Sequence, residues 1–68
     1  MIQFELNEEY IELYKLLKAL NLVATGGHGK LEIENGEVNL NGSVEYRKRA
    51  KIRRGDRVEY FGQIIDIV

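Results

Sequence analysis

Val38-Asn39-Leu40-Asn41-Gly42-Ser43-Val44-Glu45-Tyr46-Arg47-Lys48-Arg49-Ala50-Lys51-Ile52 is the stretch on which the fold turns. Val38-Asn39-Leu40 alternates apolar and polar, and Asn41-Gly42 is the strongest two-residue hairpin signal, because a type I′ turn needs positive φ at both positions. Val44 and Tyr46 are expected on the return strand. The chain then becomes cationic: six of the eight residues from Arg47 to Arg54 are Lys or Arg. The window from Tyr46 to Arg57 carries a net charge of +6 and the remainder −7, so a chain that is nearly neutral overall, at −1, is strongly polarised. A local basic patch on a near-neutral body is the footprint of a phosphate-backbone binder. It is equally the footprint of a solvated basic loop. Ala50 and Ile52 are the expected inward anchors of the run, and Gly55-Asp56 marks its closing turn.

Downstream, Arg57 to Tyr60 reads as a strand, Phe61-Gly62 as a tight reversal and Gln63 to Val68 as a last apolar strand. Upstream, Ile2, Phe4 and Leu6 alternate with polar residues and predict a short strand. Asn7 suits a helix N-cap with Glu8 and Glu9 in the first turn. The apolar spacing 10, 13, 14, 17, 20 predicts a helix over 10–20, ended by Asn21-Leu22, with Tyr10 and Tyr14 in its core stripe and Lys15 and Lys18 turned to solvent. Thr25 is expected to cap a second helix that runs to Asn35, uses Leu31 and Ile33 as apolar contacts and ends at Asn35-Gly36. Glycines 26, 27 and 29 at its start cost roughly 1 kcal/mol each against Ala within a helix. Two reasons fit them: close packing against helix one, or close approach of backbone N–H groups to a phosphate.

At 68 residues the chain is expected to form one domain, 1–68, with a small core. It has no Cys, and its single His, without ligand-spaced partners, builds no zinc site, so no metal or other cofactor is expected. No apolar run reaches the ~20 residues that cross a bilayer. The first six residues lack the charge and apolar length of a signal peptide. Cytoplasmic location without a membrane partner is therefore the expectation. Gly26 to Lys30 lacks the Gly-Lys-Ser/Thr ending of a nucleotide P-loop, and no small-molecule substrate is evident. His28 has no nucleophile or paired acid at a useful spacing, so it reads as an exposed helix-start residue or an RNA contact. Tyr46, beside the cations, has the chemistry to stack on an unpaired base.

The order of these parts resembles the ribosomal protein S-four-type RNA-binding domain, and in particular the stand-alone YbcJ/YaaA-like small bacterial proteins. The resemblance rests on Leu13-Tyr14-Lys15-Leu16-Leu17-Lys18, then Thr25-Gly26-Gly27-x-Gly29-Lys30-x-x-Ile33, Gly36-x-Val38-x-Leu40-Asn41-Gly42, Glu45-x-Arg47-Lys48-Arg49-x-Lys51-Ile52 and Gly55-Asp56-x-Val58. It implies an α+β fold, the alpha-L motif, in which two helices pack on a small bent, mainly antiparallel sheet of four to five short strands. It further implies non-catalytic binding of structured RNA, with ribosomal RNA or ribosomal particles as candidate partners and a monomer as the working state. Thr25 takes the capping-Ser position, Lys30 the basic position on helix two, and Arg47, Lys48, Arg49 and Lys51 the cationic loop. Glu12 and Gly26 stand where larger members carry Arg. The candidate RNA-binding set is Lys15, Lys18, Thr25, Gly26, Gly27, His28, Lys30, Tyr46, Arg47, Lys48, Arg49, Lys51, Arg53 and Arg54. A protein–protein adaptor using the acidic and basic surfaces is the competing reading.

Overall fold

A computed structural model describes all residues, 1–68. Strand β1 (Ile2–Phe4) and a two-residue strand β2 (Ile11–Glu12) precede helices α1 (Leu13–Ala19) and α2 (Gly26–Glu34). Strands β3 (Val38–Leu40), β4 (Ser43–Val44), β5 (Lys51–Ile52), β6 (Arg57–Tyr60) and β7 (Gln63–Ile67) follow. The main sheet has the order β1-β7-β6-β3-β4, antiparallel except for the β1–β7 pair, and β2 and β5 form a separate antiparallel ribbon. This is the expected α+β arrangement of two helices on a small, mainly antiparallel sheet, with the ribbon as an addition.

Alternation decides which face of each strand is buried. Val58 and Tyr60 of β6, Ile65 and Ile67 of β7 and Val38 of β3 point inward, and they join Leu13, Leu16, Leu17 and Ile33 from the helices in one 13-residue core. Ala50 and Ile52 belong to that core, so the basic run is tethered as its alternation suggests. Both hairpin turns hold positive φ where they must: Asn41 at 51° and Gly42 at 90°, Phe61 at 47° and Gly62 at 76°.

Three expectations give way. Helix α1 begins at Leu13, and Asn7 to Tyr10 lie outside it. Ile11, a β-branched residue, pairs with Ile52 across the ribbon. The first helical amides then bond the basic loop: Leu13 N–H donates to Ala50 O at 2.9 Å and Tyr14 N–H to Lys48 O at 3.1 Å. Helix starts leave such donors without intrahelical partners, and here loop carbonyls replace the expected Asn7 cap. The β4 strand ends at Val44 rather than Tyr46. Glu45 N–H still bonds Val38 O, but the Glu45 carboxylate accepts the Arg47 N–H at 2.9 Å and draws the chain out of the ladder. Leu31, assigned an apolar contact, is instead 59% exposed.

The helix ends follow the expected chemistry. Thr25 Oγ1 accepts the His28 N–H at 3.0 Å. Both C-termini close with a pair of backbone bonds around a residue of positive φ, Asn21 or Gly36, in the Schellman pattern. Gly29 is where α2 meets α1: a Cβ there would lie 3.3 Å from the Tyr14 carbonyl and 3.4 Å from Val23 Cγ2. At Gly27 the nearest atom is Thr25 Oγ1 at 3.9 Å. Gly27→Ala should therefore stabilise the chain by about 0.5–1 kcal/mol through helix propensity, while Gly29→Ala should destabilise it by forcing the helices apart. Urea unfolding of the two variants checks this, with opposite signs expected.

Candidate nucleic-acid interface

The β2–β5 ribbon turns one face into the core through Ile52 and the half-buried Ile11. Antiparallel register then puts Glu12 and Lys51 side by side on the other face, with Tyr10 opposite Arg53 one step beyond the pair. The basic run before β5 turns at Lys48-Arg49, where Ala50 N–H donates to Arg47 O at 3.1 Å. Arg47, Arg49, Lys51 and Arg53 line an open cleft of about 480 Å³ with Ala50 at its base. The cations are thus gathered around one cleft by a turn at Lys48-Arg49 followed by the short β5 strand.

Two tyrosines organise these cations. Lys51 Nζ lies 5.0 Å and Arg53 Cζ 5.8 Å from the Tyr10 ring centroid. Around Tyr14 the distances are 4.6 Å for Lys30 Nζ, 5.4 Å for Arg49 Cζ and 5.9 Å for Lys15 Nζ. All fall within the ~6 Å range of cation–π attraction. Tyr14 therefore joins α1, the Lys30 side chain of α2 and the Arg49 end of the loop. The expected closeness of helix-two start and basic loop is realised through this ring, and Gly26 packs at its edge, a Cβ there being 3.5 Å from Tyr14 Cε2.

Carboxylates hold Arg47 and Lys48, and also the Lys15 and Arg49 side chains that meet Tyr14. Arg47 Nε is 3.0 Å from Glu45, Lys48 Nζ 3.2 Å from Glu34, Arg49 Nη1 3.5 Å from Glu12 and Lys15 Nζ 3.3 Å from Glu12. Lys18, Lys30, Lys51, Arg53 and Arg54 are not among the salt-bridged residues. The forked Arg47 hydrogen bonds hold the Glu45 carboxyl below its ordinary value of 4.5 against the opposing effect of burial, and the same contact raises the Arg47 guanidinium.

The remaining candidates scatter. Lys18 is exposed in the last turn of α1. His28 is tied up at the helix start, its Nδ1 accepting the Ala24 N–H at 3.3 Å and its Nε2 lying 3.3 Å from Glu32 Oε1. Tyr46 is 63% exposed but packs by Gly36 at the far end of α2, where a Cβ would meet its Cε1 at 3.3 Å. Tyr10 and Tyr14, assigned to the core by helical spacing, are the residues missed. Tyr10 lies outside the helix and is 37% exposed, and Tyr14 is only partly buried. The signal available for them was the alternation of Lys51-Ile52-Arg53 against that of Tyr10-Ile11-Glu12, with Ile11 and Ile52 paired.

Residues 4–68 match the S4 domain family. The chain belongs to the S4 domain family. YbcJ of Escherichia coli strain K12 is 36% identical to it over 69 aligned residues, covering 100% of this chain and 99% of that protein, and YbcJ of Shigella flexneri matches equally. The solution structure of the Escherichia coli YbcJ, described as an alpha-L motif involved in RNA-binding, superposes with a TM-score of 0.76 over 100% of this chain and 87% of that one. The helices and sheet of this S4 domain are thus those of the alpha-L motif.

The Glu45–Arg47 contact has a pH signature. A carboxyl held low in the folded state contributes stability that is complete above its unfolded value and is lost as pH falls through the folded one. Glu45→Gln should therefore cost about 0.5 kcal/mol at neutral pH. The difference from wild type should shrink once pH drops below the ordinary value of 4.5, as read by urea midpoints across a pH series.

Proposed function

We propose that this S4 domain binds structured RNA, without catalysis, along the cationic cleft and the neighbouring Lys30. The observation that carries this reading is the cleft lined by Arg47, Arg49, Lys51 and Arg53, continued by Lys30 across Tyr14. Lys51 and Arg53 are successive outward side chains of the ribbon segment, which repeat at about 6–7 Å, a spacing suited to following neighbouring phosphates. The RNA-binding description of the Escherichia coli relative supports the same reading. An A-form helix hides its major groove, so recognition would use phosphates, 2′-hydroxyls and shape. Ribosomal RNA, abundant and highly structured, is the proposed target class, met by a monomer in the cytoplasm.

Phosphate neutralisation releases counterions, so affinity should fall about a hundredfold between about 50 and 200 mM salt for four such contacts. Replacing Arg47, Arg49, Lys51 and Arg53 by Gln should flatten that dependence and remove most binding to a labelled RNA stem-loop in fluorescence anisotropy, with circular dichroism unchanged. A folded quadruple variant that binds RNA like wild type would contradict the reading. So would partners that survive nuclease treatment in pull-downs while RNA does not bind, the outcome expected of an adaptor.

A further inference from the structure

The cations of this face are held in two physically different ways. Glu45, Glu34 and Glu12 hold Arg47, Lys48, Arg49 and Lys15 by ion pairs. Tyr10 holds Lys51 and Arg53, and Tyr14 holds Lys30, through their ring faces without an ion pair, whereas Lys15 and Arg49 meet both the Tyr14 ring and Glu12. The distinction matters for an anionic ligand. A carboxylate cancels the charge that it positions, and a phosphate must displace it. An aromatic face restrains the cation and leaves its charge uncompensated. Ordering the side chain beforehand also removes part of the rotamer entropy otherwise lost on binding.

We propose that Tyr10 is a positioning residue that holds Lys51 and Arg53 as ready, unneutralised phosphate ligands, so that this pair, and not the Arg47–Arg49 turn, makes the dominant contact of the cleft. The inference rests on the RNA-binding reading above and assigns the leading contact within it. Ribbon register gives it a geometric basis: Tyr10 stands opposite Arg53 and diagonal to Lys51 on the outer face, while Ile11 and Ile52 hold the ribbon to the core. Tyr10 stands outside both helices, so its ring is not what closes the core. Lys51 and Arg53 belong to the same cleft as Arg47 and Arg49, yet they are the two of the four whose side chains make no ion pair, Asp56 Oδ2 accepting only the Arg53 backbone N–H.

The test uses the intact chain and a fluorescently labelled RNA stem-loop at about 100 mM salt, where the Debye length is near 10 Å. Tyr10→Leu keeps an apolar side chain but removes the ring face, and should weaken binding roughly fivefold. Tyr10→Phe keeps the face and should bind like wild type. Adding Lys51→Gln to Tyr10→Leu should cost less than the two single losses multiplied together, because the ring acts through that cation. Lys51→Gln with Arg53→Gln should weaken binding more than Arg47→Gln with Lys48→Gln, a comparison that needs no change at Tyr10. The inference is overturned if Tyr10→Leu binds like wild type, if Tyr10→Phe loses as much as Tyr10→Leu, or if the Arg47 and Lys48 pair costs as much as the Lys51 and Arg53 pair. In each of those results RNA binding itself stands. If neither cation pair nor their combination alters affinity, the RNA reading fails as well.

Discussion

Two backbone hydrogen bonds, from Leu13 N–H to Ala50 O and from Tyr14 N–H to Lys48 O, connect the start of α1 to the basic loop. Each solves a problem for both partners. The helix has orphan donors at its first turn and no side-chain cap. The loop has carbonyls that need partners as it crosses from the main sheet to the ribbon. With Ala50 and Ile52 buried beside them, the bonds fix the loop backbone at its middle. The side chains of Arg47, Arg49, Lys51 and Arg53 are thereby gathered around one cleft.

The electrostatics build on that frame. Five residues supply partners for the basic run, with acids at 12, 34 and 45 and rings at 10 and 14. Exposed ion pairs of this kind are worth little to stability, typically 0–1 kcal/mol, and their main effect is on where charge remains. Of the cations without an ion pair, Lys18, Lys30, Lys51, Arg53 and Arg54, three lie against rings: Lys30 against Tyr14, and Lys51 and Arg53 against Tyr10. Glu12 anchors Lys15 and Arg49.

Much of the fold was legible because its signals are local. Asn41-Gly42 and Phe61-Gly62 form the two turns, Thr25 caps α2, Gly36 closes it, and alternation places Ala50 and Ile52 inside. What was not legible depends on pairing between distant segments. The helical period of 10–20 includes Tyr10 and Ile11, and nothing local reveals that residues 51 and 52 claim that segment as a strand partner. Missing the ribbon meant missing Tyr10 as a surface residue. The cations were evident from composition, but their division between carboxylates and rings required the register. Tyr46 shows the converse: adjacency in sequence to Arg47 does not place its ring over the cleft, because the Glu45 turn swings it toward Gly36.

The central claim is spatial, that one face built from the ribbon, the basic loop and the start of α2 meets the ligand. Following backbone amide shifts of the isotope-labelled chain by nuclear magnetic resonance during titration with an RNA stem-loop tests it most directly. The account predicts salt-sensitive shifts concentrated at Tyr10 to Glu12, Lys30 and Arg47 to Arg54, with Phe61-Gly62 and the β1 edge unmoved. Shifts centred on β1, β4 or the Phe61 turn, or no saturable shifts at any site at low salt, would contradict it.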